Sequence, residues 1–203
     1  MKEITIRDEI DGKTVKEVEQ QLNSFNGEDV VIYINSEGGE IQSGLAIAKM
    51  LERYGGKVRC EVEGFCCSIA TQIFFAGDEK IMPKNGYLMI HTPMIEMEGD
   101  AAELRKAADS LDVIQTGLET TYQKHALEGV TAEQIHEMVE KETWLTGEKA
   151  AKIFDITVKG EIQIKNSSKR FNRFKHLPPV IKDNITKYVN ILNVKSKAVA
   201  ICR

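Results

Sequence analysis

The order of apolar runs constrains the fold of this chain more than any other feature. Residues 30–34, Val-Val-Ile-Tyr-Ile, form a mostly β-branched run without polar alternation, which is typical of a strand covered on both faces of a parallel sheet. Apolar residues at helical spacing precede and follow this run, which predicts a helix on each side of it. Residues 58–62 and 87–91 predict two further strands. The repeated order of strand and helix predicts an α/β layered fold with right-handed crossovers.

Capping residues mark the predicted helices. Thr14 and Glu17 stand at capping-box spacing, so the sequence predicts a helix that starts at Thr14. A long helix is predicted over 101–126, because its apolar residues recur at intervals of three and four. Thr131 begins another helix with a second capping box, and Thr146 caps a short one.

The composition is that of an ordinary globular protein. Of 203 residues, 42% are apolar and 29% are charged, which excludes a chain that is disordered throughout. No apolar run reaches the roughly 18 residues that a membrane span needs, and the first residues lack the apolar stretch of a secretory signal. The sequence therefore predicts a cytoplasmic protein without a membrane segment.

The four cysteines, residues 60, 66, 67 and 202, are predicted to be reduced thiols, because a chain of this size without an export signal has little use for disulfides. Zinc sites usually space their ligands by two to four residues and add a second pair. Neither pattern occurs here, so we expect buried thiols and no metal site.

Charge divides the chain into two parts. Residues 165–203 hold ten Lys or Arg and one acid, Asp183, whereas the rest holds 17 basic and 30 acidic residues. We therefore predict a domain over 1–160 and a basic C-terminal extension over 161–203 that docks on its own or a neighbouring subunit. Nucleic-acid binding is not expected, because the extension lacks the regular aromatic spacing of a base-stacking platform.

Three polar features stand at predicted strand ends: the Gly38-Gly39 turn, Ser68 at the start of a helix, and His91 after an apolar strand. A serine hydroxyl becomes a nucleophile when an imidazole accepts its proton, and backbone N–H groups stabilise the oxyanion that forms. Together they indicate acyl transfer. Taken singly, a serine that opens a helix is usually a cap, and a lone histidine beside an apolar strand is more often a packed core residue.

Three ordered segments carry a family resemblance: Tyr-Ile-Asn-Ser-Glu-Gly-Gly (33–39), Gly-Phe-Cys-Cys-Ser-Ile-Ala (64–70) and Met-Ile-His-Thr-Pro (89–93). They resemble the Clp protease proteolytic subunit, ClpP, in particular the ClpP-like proteins of phages and prophages. The resemblance covers about residues 28–95 and continues more loosely to about 155. It implies a crotonase-like α/β fold and a serine endopeptidase that acts on peptides or unfolded proteins and needs no cofactor.

The resemblance also implies roles for individual residues. Ser68 would be the nucleophile and His91 the general base, with the Gly39 and Ile69 N–H groups as the oxyanion hole. The segment 96–100 matches a family strand and glycine that pair with the substrate backbone. The substrate-binding residues implied in this way are Gly38, Glu98 and Gly99.

Several positions depart from the family pattern. Glu37 replaces the proline before the two glycines, and a cysteine pair precedes the nucleophile. Glu142 aligns with the aspartate that orients the family's histidine, and the alternative is a surface acid at the end of a helix. Two neighbouring acids, Glu137 and Glu140, would take the role if the alignment slips.

The resemblance further implies a homo-oligomer, with rings of seven subunits stacked face to face. Val113 and Leu127 add apolar surface beyond the main stripe of the long helix, which favours a partner subunit. Docking of an AAA+ unfoldase is expected to be weak or absent, because little chain precedes Ile4.

The alternative function is a non-catalytic crotonase-like scaffold. Acyl-CoA chemistry on the same fold lacks support.

Overall fold

The computed structural model describes residues 1–162, 174–179 and 182. The chain divides into two compact units, Met1–Ile162 and Gln163–Arg203. Every element named below belongs to the first unit. Most of the predicted basic extension, 161–203, lies outside the described residues, so its boundary and its docking stay predictions.

Strands and helices alternate through most of the first unit. In chain order they are β1 (Lys2–Ile10), α1 (Gly12–Ser24), β2 (Val30–Gly39), α2 (Ile41–Glu52), β3 (Val58–Cys67), α3 (Ala70–Phe75), β4 (Glu79–Met82), β5 (Tyr87–Ile90), α4 (Ala101–Lys124), α5 (Ala132–Glu140), β6 (Thr143–Thr146), α6 (Gly147–Ala150) and β7 (Thr157–Val158).

The strands form one mostly parallel sheet in the order β1-β2-β3-β4-β7. Strand β3 has two different neighbours on one side. Its first half, Arg59 to Glu61, pairs with β4, whereas its last residues, Phe65 to Cys67, pair with β5. Strand β6 runs antiparallel to β5. The predicted α/β class is confirmed, and the carboxyl ends of β3 and β5 meet at one place.

The apolar pattern of each strand follows its place in the sheet. Val31 and Ile32 of β2 point to opposite faces of the sheet and are both buried, so both faces of this strand are covered. Strand β1 lies at the edge of the sheet and buries only alternate residues, Ile4 and Ile6 among them. The lack of alternation in residues 30–34 therefore has the predicted cause.

Local signals predicted the helices well, although the long helix ends at Lys124 and not at residue 126, and the start of α1 differs. Thr131 caps α5 in a capping box with Gln134, as the sequence indicated, and Asp100, which was not predicted as a cap, caps α4. The predicted start of α1 at Thr14 is wrong: Asp11 is its N-cap, and Thr14 is the third helical residue that completes the box. A threonine serves either position, because its hydroxyl also bonds the cap residue's backbone N–H.

Three strands, β4, β6 and β7, were not predicted, because they are only two to four residues long and have no alternation of their own. No helix among the described residues has both the length and the apolar character to cross a membrane. The three described cysteines, Cys60, Cys66 and Cys67, are buried free thiols.

Candidate active site

Ser68 lies in the tight turn between the end of β3 and the start of α3. Its φ angle is +56°, a left-handed conformation that is uncommon for residues other than glycine. Its N–H donates to the Met89 carbonyl oxygen over 2.8 Å, which ties the turn to β5. The side chain therefore projects from a turn whose backbone is fixed by the neighbouring strand.

The parallel pairing of β3 with β5 brings Ser68 and His91 together. Cys67, the last residue of β3, pairs with Met89 of β5. Ser68 therefore lies level with the end of β5, directly before His91. The Ser68 Oγ lies 2.8 Å from the His91 Nε2, within hydrogen-bond distance. The two residues that the sequence predicted as nucleophile and base are thus in direct contact.

Glu142 directly precedes β6, which pairs with β5. The antiparallel register pairs Ile90 with Thr143, and one further step in the same register sets His91 opposite Glu142. The Glu142 side chain is buried, and its Oε1 accepts a hydrogen bond of 3.2 Å from the Trp144 Nε1. Its φ angle is +49°, because it occupies the left-handed position just beyond the C-cap of α5.

The two alternative acids have other partners. Glu137 bonds Lys141 over 2.8 Å, and Glu140 lies 3.6 Å from the His136 Nε2. Both side chains are exposed on α5. Of the three acids considered, Glu142 alone combines burial with a backbone position opposite His91.

The glycine turn packs directly against the serine. A Cβ added to Gly38, whose φ is +94°, would lie 2.7 Å from the Ser68 Cβ, so no other residue fits without a shift. A Cβ on Gly39 would lie 2.1 Å from the Ile10 carbonyl oxygen. Both glycines are therefore required by close approach, one to the serine and one to strand β1.

A buried serine organises this turn, and sequence reasoning missed it. Ser36 Oγ accepts a 3.0 Å hydrogen bond from the Gly38 N–H and donates to the Asp8 carbonyl oxygen. The Gly38 N–H is therefore engaged within the protein. Glu37, which stands where the family has proline, is also buried.

The predicted substrate-binding strand before the long helix does not form within the described chain. Residues 91–100, which include Glu98 and Gly99, have no regular structure, and both residues are exposed. A strand needs a hydrogen-bonded neighbour, and no described strand of the chain pairs with this segment. The expectation of a strand is thus wrong for the single chain.

An apolar cleft of about 790 Å³ begins at Gly39 and follows α4. Its apolar lining consists of Ile41, Leu45, Met94, Ile95, Ile114 and Leu118. Ile69, the second predicted oxyanion residue, is buried at the N-cap of α3. The cleft offers room for an apolar side chain beside the glycine turn.

The nearby Cys66 does not compete as a nucleophile. Burial raises the pKa of the Cys66 thiol well above its usual value, so this thiol stays protonated and unreactive. Among the residues that the structure describes, no three His, Cys, Asp or Glu side chains group in a way that would hold a metal ion.

Comparison with known proteins places these features in a family. The family model for Clp protease matches residues 1–154. The ATP-dependent Clp protease proteolytic subunit of Porphyromonas gingivalis is 28% identical over 148 residues, or 70% of this chain and 66% of that protein. The proteins of the same name from Streptococcus pyogenes and Streptococcus equi are 31% identical over 127 residues, or 61% of this chain and 64% of theirs.

The matched region thus spans slightly less than two thirds of these relatives. The family model, in contrast, covers about three quarters of this chain. The matched residues include Ser68, His91 and the Gly38-Gly39 turn. The chain therefore belongs to the Clp protease family.

Proposed function

We propose that this chain is a ClpP-like serine endopeptidase that hydrolyses peptide bonds with Ser68 as nucleophile and His91 as general base. The observation that carries the proposal is the 2.8 Å contact between the Ser68 Oγ and the His91 Nε2. A general base must lie within about 2.6–3.2 Å of the heavy atom whose proton it removes. The left-handed backbone of Ser68 gives further support, since strained backbone is concentrated at functional sites.

The reaction follows from this contact. Ser68 Oγ attacks the peptide carbonyl carbon while the His91 Nε2 accepts the hydroxyl proton. The imidazolium then gives that proton to the leaving amine as the C–N bond breaks, which leaves an acyl-serine. Water, deprotonated by the same imidazole, attacks the ester and releases the acid and the free Ser68 hydroxyl.

The N–H groups of Gly39 and Ile69 are proposed as the oxyanion donors. The Gly38 N–H is already bonded to Ser36, which favours Gly39 as the donor from the glycine turn. Ile69 directly follows the nucleophile, as one donor does in other serine hydrolases. Such donors act on charge that develops only in the transition state, so they lower the barrier without tightening the ground state.

Glu142 is proposed to orient His91. A carboxylate in this role fixes the imidazole tautomer and stabilises the imidazolium. The register of β5 and β6 and the burial of Glu142 support the assignment.

Peptide substrates are proposed to lie along the segment before α4. That segment contains Glu98 and Gly99 and is exposed, so its backbone is accessible for strand-like pairing with a peptide. Gly38 would contact the substrate from the opposite side. The apolar cleft at Gly39 favours substrates with apolar side chains.

Self-assembly is part of the proposal. Large apolar side chains are exposed around α4, with Val113 at 74%, Leu104 at 45% and Met97 at 43%. Surfaces of this kind mark sites of association. Light scattering should give a mass several times the 22.8 kDa of one chain, and a monomer would contradict assembly.

The decisive test compares Ser68→Ala with the matched variant Ser24→Ala, whose hydroxyl bonds a helix carbonyl on the exposed end of α1. Loss of the nucleophile should lower hydrolysis of fluorogenic peptides by several orders of magnitude. The Ser24 variant should match the wild type. A fluorophosphonate should add covalently to Ser68, as detected by mass spectrometry, and a non-catalytic scaffold would give no adduct. Wild-type hydrolysis by Ser68→Ala would refute the proposal.

A further inference from the structure

A buried chain of hydroxyl groups connects helix α4 to the backbone of Ser68. The Tyr122 hydroxyl lies 2.7 Å from the Thr71 Oγ1, and the Thr71 Oγ1 lies 2.6 Å from the Ser68 carbonyl oxygen. The Thr71 N–H donates to the same carbonyl over 3.0 Å. Thr71 is fully buried and Tyr122 is 3% exposed, so water does not reach this chain freely.

The direction of these hydrogen bonds follows from proton counting. A carbonyl oxygen carries no proton, so the Thr71 hydroxyl must donate its single proton to Ser68. Thr71 then meets Tyr122 only as an acceptor, and Tyr122 is the donor. The chain runs from Tyr122 through Thr71 to Ser68, and each bond polarises and strengthens the next.

The end of this chain is the residue with the unusual backbone. A serine with φ of +56° persists only where its surroundings fix it, and the Ser68 N–H is already bonded to the Met89 carbonyl oxygen. The bonds from Thr71 fix the carbonyl on the other side of the same residue. Both peptide groups next to the Ser68 Cα are therefore held.

Burial raises the pKa of Tyr122 to about 12, which keeps the hydroxyl protonated and able to donate at neutral pH. The ring itself is held by packing: its centroid lies 6.0 Å from that of Phe75 and 6.4 Å from that of Phe154. Removal of the hydroxyl alone would therefore leave the ring in place.

We propose that Tyr122 is a positioning residue whose hydroxyl, through Thr71, holds the Ser68 backbone in the left-handed conformation that aims its Oγ at His91. Tyr122 does not touch the reacting atoms and acts only through Thr71. The backbone effect stands on the contacts alone, and its catalytic consequence rests on the proposed peptidase function.

The test uses Tyr122→Phe and a matched variant, Tyr54→Phe. Tyr54 also donates to a carbonyl, that of Glu28, over 2.8 Å, but it lies just beyond α2 and bonds the loop before β2. Two measurements are made: amide hydrogen exchange in residues 69–72, and the rate at which a fluorophosphonate labels Ser68. Tyr122→Phe should speed exchange and slow labelling, each on the order of tenfold, as for one lost hydrogen bond.

Peptide hydrolysis separates positioning from general destabilisation. Tyr122→Phe should lower kcat with little change in KM, because the substrate-contacting surface is intact. Thr71→Val should reproduce the effect, the double variant should be no worse than the more impaired single variant, and Thr71→Ser should restore the rate. Tyr54→Phe should leave both the exchange in 69–72 and the labelling at wild-type values.

Two outcomes overturn the proposal: exchange in 69–72 that is unchanged in Tyr122→Phe, or labelling that is unchanged while the wild type labels normally. If the wild type itself fails to label, the peptidase function is refuted separately. In that case only hydrogen exchange tests the positioning role. Faster exchange in 69–72 of Tyr122→Phe, but not of Tyr54→Phe, would support it.

Discussion

The nucleophile side and the acid side of the candidate site are built in different ways. Ser68 and His91 follow two parallel strands, β3 and β5, that pair directly, so one short register fixes both. Glu142 comes from the junction of α5 and β6, and continuing the antiparallel register of β5 and β6 by one step sets it opposite His91. Ser68 and Glu142 both have left-handed backbones, but a packed turn fixes the serine and a helix end fixes the glutamate.

The groups that support the nucleophile side and the acid side also differ in charge. Uncharged, buried groups support Ser68: the Tyr122 and Thr71 hydroxyls and the backbone of β5. The helix that leads to Glu142 is joined to α4 by an ionic contact, in which the His136 Nδ1 lies 3.0 Å from the Oε1 of buried Glu119. The nucleophile side should therefore tolerate changes of pH that weaken the support of the acid side.

The largest effect is expected from Glu142→Gln. If this carboxylate orients His91, the amide should lower kcat on the order of 10⁴-fold, because it favours the wrong imidazole tautomer. The fold should survive, since a glutamine still accepts the bond from Trp144. Glu137→Gln removes an exposed acid on the same helix and should keep wild-type hydrolysis. Full activity in Glu142→Gln would assign the orienting role to another acid or leave a mechanism of Ser68 and His91 alone.

Gly38→Ala tests the packed turn on the nucleophile side. The added Cβ would lie 2.8 Å from the Cys67 carbonyl oxygen and must displace the serine turn. A displacement of about 1 Å should slow labelling of Ser68 on the order of 10²-fold. The strained φ should also lower the free energy of unfolding by about 1–3 kcal/mol.

Gly12→Ala is the matched control for this change, because an added Cβ there meets nothing within 4 Å. It should leave labelling unchanged and should not destabilise the fold. Equal labelling rates in the two glycine variants would show that the glycine turn does not support Ser68.

The smallest effect concerns pH and the acid side. The hydrogen bond to Glu119 and its charge raise the pKa of His136. The stabilisation by this pair is therefore fully present below the unfolded pKa of about 6.5 and is lost as pH rises through the folded pKa. In denaturant unfolding at fixed protein concentration, His136→Gln should cost more stability near pH 6 than near pH 9.

His125 should change stability with pH in the opposite direction to His136. Burial lowers its pKa, so the folded state resists its protonation and loses stability as pH falls through the unfolded pKa. His125→Gln should therefore cost less stability near pH 6 than near pH 9. If both variants showed the same trend, the ionic support of α5 would not explain the pH dependence.

Sequence reasoning recovered the nucleophile side better than the acid side. Ser68 and His91 lie in short segments with recognisable glycines and apolar runs, and the structure has them in contact. Glu142 was one of three acids, because β6 is too short to predict from its own pattern. Its pairing with β5 depends on residues that are distant along the chain, and periodicity carries no information about that.

By itself, the sequence determined the α/β class, the order of the principal elements and most helix ends, because burial periodicity and capping are local properties. Only the tertiary structure decided the register of β6 on β5 and the contact between Thr71 and Tyr122, which are 51 residues apart. Such contacts form where separate elements pack, and one threonine or tyrosine in a sequence gives no sign of its partner. The support behind the nucleophile is thus a property of the packed fold.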